Sequence, residues 1–393
     1  MAALSKARAK GFDGVVLAAP VTVPYRRYSI NSAHWWIGRA LRGLCEAARL
    51  SPADLDGLSV SSFTLAPDTA IGLTQHFGLS PRWLDYIPMG GASGVLALRK
   101  AARAVQAGDA SVVACVAGDT NHVDSFRRTL SSFSRFAQDA VYPYGSGGPN
   151  ANFALIMARY MAKTGATRED IGKLAVAQRD NALKFPHALM KKPLTLADYM
   201  GARAIADPIH LFDCVMPCAG AEAFLVMREE DAKAQGLPFV RILGSIERHN
   251  AFADDVIQVR GGWAVDIDEL YGQAGIEKGK VDFVETYDDY PVISMMQLED
   301  LGLCEPGAAA EFVRGNTFTT DGTCPHNTSG GQLSVGQAGC AGGYLGLVEA
   351  IRQLSGTALG GQVKNARVGL VSGFGMITYD RGLASCAALL GRA

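Results

Sequence analysis

Short apolar runs alternate with amphipathic segments along the chain, as strands alternate with helices in an α/β protein. Residues 15–19, 58–62 and 112–117 are apolar runs of strand length. Residues 31–48, between the first two runs, repeat apolar side chains at helical spacing. The predicted apolar face of this helix consists of Trp35, Ile37, Leu41, Leu44 and Ala48. Continuous apolar runs are typical of strands covered on both faces, so the pattern predicts buried strands between layers of helices.

Residues 120–210 have a different character. They contain the aromatic and basic stretch FRRTLSSFSRF, the glycine loop YPYGSGGPN and segments rich in Ala and Lys. We interpret them as an insertion packed over the α/β frame. Strand patterns resume at residues 224–227 and 239–247, and the turn-forming QGLP between them marks a boundary. The sequence therefore predicts an N-terminal half, residues 1–237, that carries the insertion, and a C-terminal half, residues 238–393.

The two halves show an internal repeat. One offset of 248 residues carries Gly91-Ala92 onto Gly339-Cys340 and Gly108 onto Gly356. In each half, small residues open a helix that ends at the second glycine, and a buried strand follows. Two similar α/β layers related by a pseudo-twofold axis would bring the two helix starts together. Free N–H groups at such starts can hold a carbonyl oxygen or an enolate, although small residues there also simply permit close packing.

Composition excludes several classes of protein. The 393 residues are 48% hydrophobic and 19% charged, with 37 Lys and Arg against 38 Asp and Glu, so a large core is available and no basic surface for nucleic acid or anionic membranes is expected. No apolar run reaches the roughly 20 residues of a membrane span. The N-terminus lacks the apolar segment of a signal peptide, and we expect a cytoplasmic protein.

The eight cysteines do not suggest a disulfide framework. Several lie in apolar runs, as buried reduced thiols do. Cys214 and Cys218, with His210 nearby, could be considered as metal ligands. No second ligand pair follows at a suitable spacing, so we expect no metal site.

Four stretches together resemble the thiolase superfamily. They are GGASGVLALRKAARAVQAGDASVVACVAGD, VETYDDYPVISMMQLEDLG, NTSGGQLSVGQAGCAGGYLGLVEAIRQLSG and VGLVSGFGMITYDRG, and they occur in the family's order. The resemblance covers residues 15–390 and extends to the sterol-carrier-protein-type thiolase-like proteins. It implies a duplicated thiolase fold with five layers, αβαβα, an inserted loop domain and a homodimer.

The sequence departs from thiolases at the reactive positions. The nucleophilic cysteine matches Gly91, the activating histidine Gln337, the acid/base cysteine Val371 and the asparagine Tyr287. A glycine has no side chain, so a covalent acyl-enzyme at position 91 is excluded. Cys340 could be a displaced nucleophile, but no histidine adjoins it and a packing role is favoured.

Tyrosines and carboxylates remain as candidate reactive groups. Tyr287, Asp288, Asp289 and Tyr290 follow an apolar strand, Tyr344 opens the helix after the second glycine loop, and His326 precedes that loop. The YDDYP…GGQLS…GG pattern is similar to thiolase-fold acyl-CoA aldolases, which lack the catalytic cysteine and use tyrosines as acid and base. The resemblance therefore implies Tyr287 and Tyr344 as the acid/base pair, with Tyr290 as the alternative.

Each remaining candidate also has a structural interpretation. Asp288, His326 and Gln337 complete the candidate catalytic set. The tyrosines could instead pack in the core, Asp289 could cap the helix that follows, His326 could be a surface residue, and Gln337 could simply bind the glycine loop. Amides of the two helix starts would hold the enolate. The residues concerned are Gly91, Ala92, Ser93, Cys340 and Ala341.

Coenzyme A is implied as part of the substrate, and no other cofactor is expected. Weak candidates for contacts with it are Arg127, Arg128, Arg135 and Lys184, which could equally be solvated surface charges. The aldolases that the chain resembles work with a small partner bearing an OB-fold and a zinc ribbon. The resemblance allows such a partner here, and the sequence leaves open whether it exists.

Three functions are therefore compatible with the sequence. The first is (retro-)aldol chemistry on a β-hydroxyacyl-CoA without a covalent intermediate. The second is a thiolase-type acyl-CoA acyltransferase with a displaced nucleophile. The third is a catalytically silent subunit that binds acyl-CoA or lipid.

Overall fold

The computed structural model describes residues 11–122, 141–145 and 148–393. The candidate coenzyme A contacts Arg127, Arg128 and Arg135 lie outside the described residues. Within the described part, no helix is both long and apolar enough to cross a bilayer.

Strands and helices alternate, as the apolar pattern predicts. The strands are β1 Val15–Arg26, β2 Gly57–Ser61, β3 Trp83–Tyr86, β4 Val112–Asp119, β5 Ala204–Ala206, β6 Ile209–His210, β7 Ala219–Arg228, β8 Phe239–His249, β9 Phe283–Glu285, β10 Val368–Ile377 and β11 Gly382–Arg392. The helices are α1 Ala33–Ala48, α2 Ala70–Phe77, α3 Ser93–Ala107, α4 Pro149–Thr164, α5 Arg168–Lys184, α6 Leu196–Met200, α7 Glu229–Ala234, α8 Trp263–Ala274, α9 Pro291–Asp300, α10 Ala309–Gly315, α11 Gly331–Val335 and α12 Gly342–Ser355.

Two half-sheets meet at β1 and β8. Among the described residues, nine strands form one sheet in the order β3-β2-β4-β7-β1-β8-β11-β10-β9. The strands pair in the same way on both sides of the junction. In the first half, β2 pairs with β4 in parallel, and β7 pairs antiparallel with both β4 and β1. In the second half, β9 pairs with β10 in parallel, and β11 pairs antiparallel with both β10 and β8. This equivalence confirms the duplication.

Helices separate and cover the half-sheets. Helices α3 and α12 lie between them and contact strands of both halves. Helix α1 covers β1, β4 and β7, while α8 covers β8 and β11. The resulting five layers place the largest apolar core in the middle, around α3 and α12.

Helix α1 shows where the sequence pattern misled. It begins after Ser32, whose hydroxyl accepts a hydrogen bond from the Trp35 N–H. Ile37, Leu41, Leu44 and Ala48 are buried as predicted, but Trp35 is 42% exposed and Trp36 takes the core position, at 1% exposure. The prediction for Trp35 was wrong because neighbouring residues on a helix point about 100° apart, and two adjacent tryptophans fit the apolar period almost equally well.

The two repeated helices touch at their first turns. Each follows a short 3₁₀ turn, Gly90–Ala92 or Gly339–Ala341, and each ends at a left-handed glycine, Gly108 (φ 80°) or Gly356 (φ 71°). A Cβ atom at Gly94 would overlap the carbonyl oxygen of Gly343. The small residues therefore allow two helix starts to meet at the pseudo-twofold axis, as the repeat predicts.

Candidate active site

The segment that follows β9 turns sharply into helix α9 and carries four polar side chains in a row. Strand β9 begins at Phe283 and pairs in parallel with β10. Helix α9 starts at Pro291, whose fixed φ suits a first helical position. Residues 287–290 thus form the short connection between a buried strand and helix α9.

The ring of Tyr287 fills the space beside Gly91. A Cβ atom at Gly91 would overlap the Tyr287 ring on one side and the carbonyl oxygen of Phe374 on the other. Tyr287 is 6% exposed. Any side chain at position 91 would therefore have to displace both the Tyr287 ring and the backbone at Phe374.

Gln337 joins Tyr287 and Asp289 through hydrogen bonds, and we call these three side chains the triangle. The Gln337 Nε2 group donates to the Tyr287 hydroxyl at 3.0 Å and to Asp289 Oδ1 at 3.2 Å. The Tyr287 hydroxyl and the Asp289 carboxylate lie close enough to affect each other's pKa. Burial raises the pKa of Asp289 to about 6, although its interactions with Tyr287 and Gln337 counteract this effect. Burial and the neighbouring carboxylate raise the pKa of the Tyr287 phenol well above its ordinary value.

Asp289 belongs to the candidate site, although the sequence analysis favoured a structural role for it. Its expected role as a helix cap was wrong, because Tyr290 occupies the N-cap position of α9 and no side chain caps that helix. The only available signal was the adjacent pair of carboxylates, which does not show which one faces the site.

Asp288 points away from the triangle and organises the glycine loop. Its carboxylate accepts hydrogen bonds from the backbone N–H groups of Gln332 (2.9 Å) and Leu333 (3.2 Å), at the start of α11, and from Gln178 Nε2 (3.1 Å). Burial raises its pKa to about 7. The structure therefore gives this candidate catalytic residue a positioning role.

Two adjoining cavities meet at the triangle. The larger, of about 120 Å³, is lined by Asp289, Tyr290 and Gln337 together with mainly apolar side chains. The smaller, of about 50 Å³, is lined by Gly91, Tyr287, Asp289 and Gln337. Because Asp289 and Gln337 border both cavities, a substrate bond that crosses from one cavity into the other would lie beside the triangle.

Tyr290 forms part of the wall of the larger cavity. Its hydroxyl donates to Asn150 Oδ1 at 2.5 Å, and its ring stacks on Phe153 with 4.0 Å between centroids. Both partners lie on helix α4 of the predicted insertion. Burial raises the pKa of this phenol too. Tyr290 is therefore close to the candidate site, but its hydroxyl already has a protein partner.

Two sequence candidates are not brought to these cavities. The Tyr344 ring lies in the middle apolar layer, with its hydroxyl 3.2 Å from Ser61 Oγ and its ring against Phe224. His326 is fully buried behind the strand, with Nε2 2.7 Å from Thr286 Oγ1, and burial lowers its pKa to about 3. Neither residue lines either cavity. The alternative of a surface position for His326 was also wrong.

The helix-start amides have internal partners in this structure. The N–H of Ala92 donates to Met89 O, that of Ser93 to Gly90 O and that of Ala341 to Ala338 O. Of the expected enolate-binding set, Gly91 borders a cavity. The expectation that Ala92, Ser93, Cys340 and Ala341 present free amides is corrected accordingly. The tight 3₁₀ turns bind three of these N–H groups, and the carboxylate of Asp119 binds that of Cys340.

Asp119 explains how Cys340 is held. This buried carboxylate, at the end of β4, accepts the Cys340 N–H at 2.7 Å and four further hydrogen bonds from Ser62, Phe63 and Thr64. Burial and Asp119 raise the pKa of the Cys340 thiol well above its ordinary value, which does not suit a nucleophile. The sequence analysis gave Asp119 no role.

The remaining coenzyme A candidate among the described residues is Lys184. It is exposed at the end of α5 and lines neither cavity. The role of Lys184 in binding the coenzyme thus stays a prediction.

Comparisons with known proteins agree with this geometry. Residues 256–385 match the family model for a thiolase C-terminal domain-like region. The chain is 31% identical over 366 residues, 87% of this chain and 92% of the relative, to a protein of Mycobacterium tuberculosis named 17-hydroxy-3-oxo-4-pregnene-20-carboxyl-CoA lyase. It is also 31% identical over 340 residues, 82% of this chain and 85% of the relative, to a steroid side-chain-cleaving aldolase of Thermomonospora curvata.

A solved structure extends the similarity to the fold. The structure of an Ltp2-ChsH2(DUF35) aldolase superimposes with a TM-score of 0.83 at 26% identity, and the match covers 96% of this chain and 98% of the other.

The raised pKa of Asp289 predicts that this residue costs stability at neutral pH. An Asp with a pKa near 3.8 when unfolded and about 6 when folded binds more protons in the folded state, so the free energy of unfolding falls as the pH rises between these values. We expect Asp289→Asn, which keeps an acceptor oxygen, to raise the free energy of unfolding by about 1–3 kcal/mol at pH 8 and to leave it nearly unchanged at pH 4. Urea unfolding at both pH values measures this.

Asp54→Asn is the matched control, with the opposite sign. Asp54 is exposed, and hydrogen bonds from Ser51 hold its pKa below the ordinary value. This variant should lose stability at pH 8 and lose less at pH 4. A gain for Asp289→Asn of equal size at both pH values would show that burial of its charge is not the cause.

Proposed function

The chain belongs to the thiolase superfamily, in its branch of acyl-CoA aldolases, and we propose that Tyr287, Asp289 and Gln337 carry its acid/base chemistry. It is an enzyme that acts on acyl-CoA thioesters at a C–C bond by retro-aldol chemistry. The observation that carries the proposal is the pairing of Gly91 with Tyr287. Where a thiolase needs a nucleophile there is no side chain, and a phenol that Gln337 joins to a carboxylate occupies the space.

The proposed reaction needs one base and one acid. Asp289, with a pKa of about 6, is largely ionised at neutral pH and accepts the proton of the substrate's β-hydroxyl group, directly or through the Tyr287 phenol. The bond between Cα and Cβ then breaks. Its electron pair moves into the thioester as an enolate, while Cβ becomes the carbonyl carbon of a ketone or aldehyde. The proton returns to Cα, which yields the shortened acyl-CoA.

Gln337 has a positioning role in this scheme. Its Nε2 group contacts both Tyr287 and Asp289, and so keeps phenol and carboxylate within hydrogen-bonding distance of each other. A hydrogen bond donated to the phenol oxygen favours the phenolate, and it partly offsets the rise that burial and Asp289 cause in the pKa of Tyr287. This contact supports proton transfer through the phenol.

Substitutions at the triangle should abolish chemistry and preserve the fold. We expect Tyr287→Phe and Asp289→Asn each to lower kcat/KM for retro-aldol cleavage by about 10²–10⁴-fold, as is typical for a lost acid or base. The wild-type kcat/KM should rise with pH to a plateau above about pH 6, as Asp289 ionises. The assay measures the ketone or aldehyde released from a β-hydroxyacyl-CoA.

Tyr344→Phe is the matched control for Tyr287→Phe. It removes a hydroxyl that contacts Ser61 in the core, so we expect a loss of about 0.5–1.5 kcal/mol in stability and near-normal turnover. If Tyr344→Phe loses as much activity as Tyr287→Phe, the acid/base assignment is wrong and Tyr344 belongs in it.

No covalent acyl-enzyme should form during turnover. Gly91 offers no nucleophile, and Cys340 is fully buried with a raised pKa. We therefore expect the intact protein mass to stay unchanged after incubation with acetoacetyl-CoA, and no acetyl-CoA to form from acetoacetyl-CoA and free coenzyme A. An acyl adduct that Cys340→Ser removes would favour the acyltransferase alternative.

We further propose that the chain works as a homodimer together with a small second subunit. The similar Ltp2-ChsH2(DUF35) aldolase contains a second protein, which supports the second subunit. The edge strand β3 supports the dimer, because an edge strand can pair with a strand of another chain. The N–H groups of Trp83 and Ile87 donate to the β2 side. Since N–H groups alternate in direction along a strand, that of Leu84 points outwards.

Light scattering tests the dimer. We expect a mass of about twice the chain's 41.5 kDa at micromolar concentration, from an interface of about 2,000 Å² or more. Leu84→Pro, which removes an outward N–H group, should shift the mass towards the monomer, whereas Leu84→Val should not. A monomeric wild-type chain would contradict the proposal.

A further inference from the structure

The backbone of Tyr287 is held by one side chain, that of Gln297 on helix α9. The Gln297 Oε1 atom accepts the Tyr287 N–H at 3.2 Å, and its Nε2 group donates to the Tyr287 carbonyl oxygen at 2.7 Å. No backbone–backbone hydrogen bond joins Tyr287 to any other residue that the structure describes. Along β9 the backbone pairs with β10, and at Tyr287 the Gln297 amide takes over this role, since buried backbone groups need partners.

All hydrogen-bonding positions of the Gln297 amide are used. Its Oε1 atom also accepts from the Ser372 hydroxyl at 2.5 Å, and its Nε2 group also donates to the Ile293 carbonyl oxygen at 3.0 Å. The side chain is fully buried. Turning the amide over would set a donor against the Tyr287 N–H and an acceptor against its carbonyl oxygen, so the orientation of the amide is fixed.

This amide joins three elements at the candidate site. Gln297 lies on α9, Ser372 lies on β10, and Tyr287 lies on the connection between β9 and α9. The phenol is therefore held at both ends of the residue, through the backbone by Gln297 and through the hydroxyl by Gln337. Gln297 itself lines neither cavity, so its influence on the site passes through Tyr287.

We propose that Gln297 is a positioning residue for the acid/base chemistry: by holding the backbone of Tyr287 against α9 and β10, it sets the place of the phenol relative to Gln337 and Asp289. The inference rests on the proposed function, because it needs Tyr287 as a reacting group. A misplacement of a reacting group by about 1 Å costs about 10²-fold in rate. Binding of the substrate does not depend on this amide, since the lining of both cavities lies elsewhere.

The first test is Gln297→Met, which keeps an unbranched side chain of similar length and removes the amide. We expect kcat for retro-aldol cleavage to fall by about 10–100-fold and KM to stay within about twofold of the wild-type value. The assay measures the ketone or aldehyde released from a β-hydroxyacyl-CoA by the full chain, with any second subunit that co-purifies. Urea unfolding of the same samples gives the folded fraction.

Gln353→Met is the matched control. Gln353 is also a buried glutamine that holds backbone groups, because its Oε1 atom accepts the Val363 N–H at 2.8 Å and its Nε2 group donates to the Gly361 carbonyl oxygen at 2.7 Å. It lines neither cavity. We expect a comparable fall in the urea midpoint and a near-normal kcat.

Two milder variants keep the test decisive if Gln297→Met does not fold. Ser372→Ala removes one hydrogen bond that fixes the amide, so kcat should fall by about three- to tenfold with KM unchanged. Gln297→Glu, buried as the neutral acid, still accepts the Tyr287 N–H and donates to its carbonyl oxygen. We expect this variant to keep kcat within about threefold of the wild-type value at about pH 6.5.

Each other result overturns the proposal. A wild-type kcat in folded Gln297→Met or in Ser372→Ala, or a fall no larger than that of Gln353→Met, rejects the positioning role. A rise in KM alone would place Gln297 in substrate binding, and a loss in Gln297→Glu as large as in Gln297→Met would show that the two contacts with the Tyr287 backbone are not the cause. Failure of the proposed function is distinguishable, because Tyr287→Phe then turns over like the wild type.

Discussion

The ring of Tyr287 occupies the volume that a side chain at position 91 would need, and the rest of the site is arranged around this constraint. A side chain at position 91 and a ring at position 287 cannot coexist in this arrangement. Because Gly91 has no side chain, the ring of a tyrosine fits beside it. Gln337 joins this phenol to Asp289, so that under the proposed function an acid/base site stands where a thiolase has its nucleophile.

The close contact between the two halves holds this arrangement in place. Helices α3 and α12 approach so closely that Gly94 and Gly343 leave no room for a Cβ atom. Asp119 joins the end of β4 in the first half to Cys340 in the second through a buried hydrogen bond. The N–H groups at the two helix starts and the carboxylate of Asp119 are therefore already hydrogen-bonded within the protein. The polar groups that border the cavities come instead from the segment after β9 and from Gln337.

The two adjacent buried carboxylates, Asp288 and Asp289, have different surroundings. Burial raises the pKa of Asp289 to about 6 and that of Asp288 to about 7, but the two have different partners. Asp288 is bound by backbone amides and fixes the start of α11, whereas Asp289 is bound by side chains and borders both cavities. One carboxylate therefore shapes the loop, and its neighbour remains available for proton transfer.

The sequence by itself determined the alternation of strands and helices, the duplication and the missing nucleophile, since periodicity, glycine spacing and the absence of a side chain at Gly91 are written in the chain. Tertiary structure decided which polar groups meet. Tyr287 and Tyr344 were equal candidates by motif, yet the first reaches a cavity and the second points into the core. Asp288 and Asp289 are adjacent but turn to opposite partners. Such choices depend on the rotation of each element against its neighbours, which local pattern does not encode, and the same rotation decides between Trp35 and Trp36.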